Sequence, residues 1–393
     1  MALRKRCNER NYGALLKLLY FIQNARLETT GPSYASMASG RRARRILNLL
    51  HHTGLFEATV VFNFIKRKTP GAGPISIERD GLTVIEIPYV AFTAVALIHH
   101  LTIVLRRILA ERSHVAVMSY NFNPGASLPS LLAKAIRPNA PYILQLEDGI
   151  DYDRSLSPLK KRIYRSLLAV QRWVATAALV PTPALSKYVM GIPTFTFTGL
   201  PTNPQLAKAN GGSGERRRRK ILFAGTLDKR RGIYDYLDSI AAGNLSAYEH
   251  HICGFVSDPA RFDAALTAAR SRAEVIFHGA LDSDKYADLL AQVDVVLSLA
   301  DPDDGHTRET FPSKVIDAVE AGKVVVSYRL AGFERAAYPT LFVTDRHNLP
   351  QTIRDLDFDA IATDIDRNNL NWLDESAQFI EFLRKLVKLR GTA

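Results

Sequence analysis

Cysteine is nearly missing from this 393-residue chain. Its two residues, Cys7 and Cys253, are too few for a disulfide framework and lack metal-ligand spacing, so a reducing cytoplasm is the natural setting. Also missing is an uncharged apolar run of membrane-spanning length. The longest candidate, Phe92–Leu105, contains His99 and His100 and runs straight into Arg106 and Arg107. The first residues imitate a signal peptide, with Arg4, Lys5 and Arg6 before Ala14–Ile22. Lys17 interrupts that stretch and no small-x-small cleavage site follows, so it reads as a basic leader into a first buried strand. There is no short-period repeat and no recognisable nucleic-acid-binding module.

What is plentiful is positive charge. The formal net charge is +12, carried by scattered clusters at Arg41–Arg45, Lys66–Lys68, Arg106/Arg107, Lys160–Arg165 and Arg216–Lys220. A surplus of this sign points to nucleic acid, an anionic membrane surface or phosphorylated substrates. The missing nucleic-acid module leaves the last two, alongside a plain solvated basic surface.

The chain is long enough for two α/β domains with separate cores. Short Val/Ile/Leu runs, expected as strands, alternate with helical patterns. In the first half the strands are Leu15–Ile22, Ala58–Ile65, Leu82–Pro88, Val115–Tyr120, Tyr142–Leu146, Ala178–Pro181 and Phe195–Thr198, with helices at Arg41–His51, Phe92–Glu111, Ser127–Ile136 and Leu159–Ala175. Ala207–Glu215 is Gly/Ser-rich and reads as a linker. The alternation then restarts at Lys220–Ala224 and continues through strands Tyr248–Phe255, Val275–Phe277, Val295–Leu299 and Val324–Ser327. Such a pattern predicts two doubly wound α/β domains with parallel sheets, facing a cleft. Their expected bounds are 1–206 and 220–370, joined by linker 207–219. A final amphipathic helix, Asn371–Leu389 within 371–393, is expected to dock rather than form core.

In open parallel sheets ligands bind beyond the carboxyl ends of the strands. The strand Ile221–Ala224 is expected to end in a turn at Gly225, followed by Thr226 and then Lys229, Arg230 and Arg231 beside a helix start, a setting suited to a diphosphate. After Val295–Leu299 comes a polar loop, Asp301–Thr310, and then Glu309-Thr310-Phe311-Pro312-Ser313-Lys314-Val315-Ile316-Asp317. Pro312 suits the first turn of a helix, Ser313 and nearby amides can bind phosphate oxygens, and Lys314 adds charge. Glu309 is placed before that helix, free to reach a ligand, and Asp317 can accept from a sugar diol.

These residues resemble the Glu-x7-Glu signature of retaining GT-B glycosyltransferases, particularly glycosyltransferase family 4. Glu309 matches the first carboxylate, with Asp317 as a shorter substitute for the second. Phe311-Pro312-Ser313-Lys314-Val315 resembles the family's Phe-Pro-Ser-Lys variant, and Gly225 with Arg231-Gly232 resembles its phosphate turn, with Thr226 where many members have arginine. Val275-Ile276-Phe277-His278-Gly279 resembles the segment whose backbone reads the nucleotide base. The resemblance implies a nucleotide-diphosphate sugar donor and no metal or other cofactor. It assigns Arg231 and Lys314 to the leaving diphosphate, Glu309 to the sugar and Asp317 to the ribose. It also implies front-face attack with the departing phosphate assisting deprotonation. In the first half Glu147 and Asp148 stand where relatives have a His-Asp pair. With Gly31 of Thr29-Thr30-Gly31 they are the acceptor-side candidates. By analogy the acceptor is a saccharide, lipid-linked at the inner face of the plasma membrane, in exopolysaccharide, lipopolysaccharide or glycolipid assembly.

Other readings stay open. A GT-B-fold epimerase or a non-catalytic sugar-nucleotide-binding module would use the same architecture. Asp301-Pro302-Asp303 is an Asp-x-Asp of the kind that binds metal in another glycosyltransferase fold, but here it reads as a loop, with His306 facing solvent. The adjacent pairs His51/His52, His99/His100 and His250/His251 cannot chelate, because neighbours in sequence do not share a face.

Overall fold

The computed structural model of the chain describes residues 16–25, most of 43–50, 55–66, 73–79, 82–91, 93–151, 156–198, 218–329, 340–361 and 373–391. The expected loop Thr29-Thr30-Gly31, the Gly/Ser-rich linker Ala207–Glu215, His51/His52 and the side chain of His306 fall outside the described residues. Contacts divide the chain into two compact units. One comprises Met1–Val180, Leu185–Phe197 and Ser376–Ala393; the other comprises Pro181–Ala184 and Thr198–Glu375.

The first unit holds an eight-stranded sheet of β1 (Leu16–Gln23), β2 (Phe56–Lys66), β3 (Ile75–Arg79), β4 (Leu82–Tyr89), β5 (Val115–Tyr120), β6 (Tyr142–Gln145), β7 (Ala177–Val180) and β8 (Thr194–Thr196). Their order is β3-β4-β2-β1-β5-β6-β7-β8. Leu18–Ile22 of β1 are all buried, as expected of a strand covered on both faces. Leu19 and Phe21 point to one layer and Leu18, Tyr20 and Ile22 to the other. On the first face lie α1 (Ala94–Ala110), α2 (Pro124–Ile136) and α3 (Pro158–Val174), which contribute Val104, Ile108, Ala126, Ala133 and Leu168. On the second lie Ile46, Leu47 and Leu50 and the C-terminal helix Leu373–Gly391. That helix docks by one face: Phe379 stacks on Phe197 and, with Leu383 and Leu386, is buried in this core.

The first sheet departs from an all-parallel expectation in one place. β3 was not expected, and it pairs antiparallel with β4. Its five residues at the sheet edge carry too short an alternation to stand out in sequence.

The second unit holds six strands, all parallel: β9 (Lys220–Leu227), β10 (Glu249–Val256), β11 (Glu274–Phe277), β12 (Val295–Ser298), β13 (Val324–Tyr328) and β14 (Leu341–Thr344). Their order is β11-β10-β9-β12-β13-β14. Helices α4 (Ile233–Ala241), α5 (Pro259–Arg270), α6 (Ser283–Gln292), α7 (Gly305–Glu309), α8 (Ser313–Glu320) and α9 (Leu349–Arg354) connect them. The chain winds outward from β9 through β10 to β11, then returns to β12 on the other side of β9. The crevice for a ligand is therefore at the carboxyl ends of β9 and β12. By the same rule the crevice of the first sheet lies between β1 and β5. Among the described residues no helix is long and apolar enough to cross a membrane.

Candidate active site

The first correction concerns Gly225. It does not turn the chain after a four-residue strand, because β9 continues through Leu227. Gly225 sits inside β9 with φ +123°, and a Cβ there would overlap the ammonium of Lys314. On the neighbouring strand Gly254 is its register partner, with φ +143°, and a Cβ on Gly254 would overlap the Gly225 carbonyl. Gly254 thus lets the Gly225 backbone approach closely, and Gly225 lets a lysine from α8 lie against the strand, where its Nζ donates to the Ala224 carbonyl. Glycine inside a strand marks such a close approach.

Burial, reinforced by the nearby Arg231 guanidinium, pulls the Lys314 pKa down to about 8, against the opposing pull of Cys253, Asp317 and Asp228. Burial also pushes the Cys253 thiol up to about 11. A cation held where its charge is costly is poised for an anion. Asp228 orders the next turn: its Oδ1 accepts from the Arg231 amide at 2.9 Å and its Oδ2 lies 3.6 Å from Arg230. The single turn Lys229–Arg231 then ends at Gly232, φ +77°, where a Cβ would meet the backbone of Leu299 beyond β12. Thr226, Lys229 and Arg230 are exposed beside it. The expected phosphate residues therefore gather at the switch point of the second sheet.

The Glu309–Asp317 segment differs from expectation in local structure. The supposed polar loop contains α7, and Glu309 closes that helix with only 1% of its surface exposed. It does not stand free ahead of α8. The five residues of α7 have no apolar periodicity to reveal a helix. The Glu309 carbonyl accepts from Thr182 Oγ at 3.1 Å, a residue of the 181–184 segment of this same unit. Pro312 occupies the cap position of α8 rather than its first turn, and its carbonyl accepts from the Val315 amide at 3.1 Å. Phe311 and Val315 are core residues. Ser313, Lys314 and Asp317 are half-buried on α8.

His278 and Gly279 follow β11. The Gly279 carbonyl accepts from the Gly254 amide at 2.8 Å, which ties this segment to the glycine pair. His278 Nε2 lies 2.9 Å from His251 Nδ1, and His251 Nε2 lies 2.7 Å from Glu249, itself 2.9 Å from Lys220. With Glu249 accepting from His251 Nε2–H, the hydrogen-bond order assigns His278 a protonated Nε2 and leaves its Nδ1 an acceptor. His250 faces the other way, with Nδ1 2.6 Å from the Tyr236 hydroxyl, so the two histidines do not share a face. The partnership of His251 with His278 was missed in sequence, as was the Cys253-Gly254 step. A glycine in an apolar strand was its one visible signal.

Asp301 is engaged by Arg346 at 2.8 Å and Asp303 by Arg308 at 3.3 Å. No group of three or more potential metal ligands occurs among the described residues.

In the first unit, Glu147 and Asp148 are half-buried just after β6. Asn121, at the end of β5 with φ +57°, holds both: its Oδ1 accepts from the Glu147 amide at 2.6 Å and its Nδ2 donates to Asp148 at 3.1 Å. Gln145 donates to Glu147 at 2.6 Å and accepts from Tyr20 at 2.6 Å. Across the crevice, Gln23 at the end of β1 accepts from the Gly125 amide and donates to Tyr89. Asn24 beside it has φ +54°. Gly31 is outside the described residues.

Residues 218–356 match the family described as group 1 glycosyl transferases. This part of the chain is a group 1 glycosyl transferase domain. Solved GT-B glycosyltransferases share the fold of almost the whole chain. The trehalose-phosphate synthase of Burkholderia vietnamiensis is 11% identical with a TM-score of 0.58, over 96% of this chain and 98% of that one. That of Burkholderia xenovorans, solved with glucose-6-phosphate, is 10% identical with a TM-score of 0.59 over 94% and 99%. Anabaena HepE, solved with UDP and glucose, is 14% identical with a TM-score of 0.59 over 94% and 100%. At these identities the likeness establishes the fold, GT-B. No curated protein sequence matches the chain.

Proposed function

We propose that this GT-B glycosyltransferase moves a sugar, with retention, from a nucleotide-diphosphate donor to a saccharide acceptor that is lipid-linked. The observation that carries the donor side is the close approach by which Gly225 admits Lys314 beside Arg231. It concentrates positive charge where a group 1 glycosyl transferase domain must stabilise a leaving diphosphate. That HepE was solved with UDP and glucose, and a trehalose-phosphate synthase with glucose-6-phosphate, supports a nucleotide sugar and a saccharide acceptor here.

In the reaction the bond from C1 to the diphosphate oxygen breaks and a bond from C1 to the acceptor oxygen forms on the same face. The acceptor proton passes to the departing phosphate. Lys314 and Arg231 bind the diphosphate, aided by Ser313, Lys229 and Arg230. Glu309 orients the sugar and Asp317 the ribose, while His278 and Gly279 meet the base. Glu147 and Asp148 hold acceptor hydroxyls. No metal takes part in this scheme. The basic surface fits a chain working peripherally at the inner membrane face, in polysaccharide or glycolipid assembly.

The test is a thermal-shift screen with UDP-, GDP- and ADP-sugars, followed by transfer assays and NMR of the product's anomeric configuration. Stabilisation by one nucleotide class with a retained anomer is expected. Indifference to all three would sink the donor assignment.

A further inference from the structure

The three helices on one face of the first sheet contain no aspartate or glutamate. They carry eight lysines and arginines, five of them in α3. α2 is central and packs against both α1 and α3, so the outer surface of this layer belongs to α1 and α3. Each turns one apolar face inward, through Val104 and Ile108 in α1 and Leu168 in α3. Each also carries a second apolar stripe that the fold leaves uncovered. In α3, Leu159, Ile163, Val170 and Trp173 are exposed, Trp173 at 86%. At ~100° per residue they fall within an arc of about 80°, roughly opposite the buried side. In α1, Val95, Ile98 and Leu109 are exposed in a similar stripe, which Arg106 shares.

We infer that this α1–α3 face is an interfacial docking surface for an anionic bilayer, with Trp173 seated at the boundary between headgroups and acyl chains. The inference deepens, and rests on, the reading of a lipid-linked acceptor. A solvent-facing apolar stripe flanked by cations, with an exposed tryptophan, has the chemistry of a helix that lies in the interface plane. Arg162 and Lys160 are exposed on the two flanks of the stripe. Arg165 pairs with Asp151 at 2.8 Å, and Lys161 donates to the Asp151 carbonyl, so Asp151 offsets part of the charge. A second copy of the chain is a poor occupant, because pairing this face with itself would set like charges against each other. Anionic headgroups meet the apolar stripe and the cations together.

The test uses the full chain and sedimentation with two kinds of vesicle, phosphatidylcholine alone and phosphatidylcholine mixed with phosphatidylglycerol. Binding is expected only to the second, weakening as salt rises. Lys160→Gln with Arg162→Gln should weaken it about fivefold for each residue removed. Trp173→Ser should weaken it about tenfold at an unchanged Tm, since this ring is exposed in the folded chain. Equal binding by the wild type and these variants, or none by any of them, overturns the inference. So does self-association that Trp173→Ser abolishes in a wild type that ignores vesicles. Donor-induced thermal shifts in the same samples separate the two readings. A chain that takes a nucleotide sugar yet ignores anionic vesicles loses the docking face and keeps the transfer function; one that docks but takes no donor does the reverse.

Discussion

The carboxyl ends of the two sheets are equipped for different chemistries. At the switch point of the second sheet, between β9 and β12, glycines press backbone and lysine together and the nearby side chains are mainly cations: Lys314, Arg231, Arg230 and Lys229. At the switch point of the first, between β1 and β5, the side chains are amides, carboxylates and hydroxyls: Gln23 and Asn24, which bond Tyr89, and Asn121, Gln145, Glu147 and Asp148, which bond one another and Tyr20. Folds of the same class thus gather cations at one sheet end and amides, carboxylates and hydroxyls at the other. The architecture fixes where each site lies, and the residues decide what it takes.

The largest effects should come from the charged end. Lys314→Ala should cut kcat/KM by roughly 10²–10³, the usual scale for losing one preorganised contact to developing charge. Its Tm should hold, because the folded chain loses a cation that burial disfavours. Glu309→Gln, which preserves the shape of a fully buried side chain, should lower kcat comparably in transfer assays. Full activity in either variant would remove the second sheet from the chemistry. Gly225→Ala comes next. At φ +123° a Cβ is strained and collides with Lys314, so donor affinity should vanish and denaturant melts should show a loss of about 1–3 kcal/mol.

The same lysine predicts a pH dependence. In the free protein Lys314 releases its proton near pH 8, so isothermal titration should show donor affinity falling as pH rises through that value. The stability linkage runs the opposite way. Between about 8 and the usual 10.5 the folded chain has released this proton while the unfolded chain keeps it, so the wild type should gain stability relative to Lys314→Met as pH rises across that window. A difference in Tm between the two that stays flat over this range would show that Lys314 is not held as described.

Much of this was legible in the sequence, for physical reasons that also explain the gaps. Buried parallel strands such as Leu16–Gln23 and Val324–Tyr328 announce themselves as runs of large apolar residues, and Pro259–Arg270 carries its own cap and proline. The Phe-Pro-Ser-Lys motif and Arg231-Gly232 were found because they are contiguous. Gly225 was found but misread, since nothing local distinguishes a glycine that ends a strand from one that admits a side chain 89 positions away in sequence. His251 with His278 and Asn121 with Asp148 stayed hidden for a related reason: each pair bridges neighbouring strands that only the sheet order brings together. Helix α7 was missed because five residues cannot display a period.

The smallest predicted effect is the sharpest test of the proposed acceptor end. Asn121 combines a left-handed backbone with side-chain bonds to both Glu147 and Asp148. Two substitutions separate these roles. Asn121→Gly keeps the left-handed conformation without a steric cost and removes only the side chain, so the carboxylates lose their positioning. Asn121→Ala removes the side chain and adds backbone strain of about 1–2 kcal/mol. If the cluster holds the acceptor, both variants should raise the KM for acceptor several-fold and leave the KM for donor unchanged, and Asn121→Ala should lower the Tm further than Asn121→Gly does. Asp148→Asn should reproduce the kinetic change without the thermal one. A rise in donor KM instead would mean that the two sheet ends do not divide the substrates as their side chains indicate.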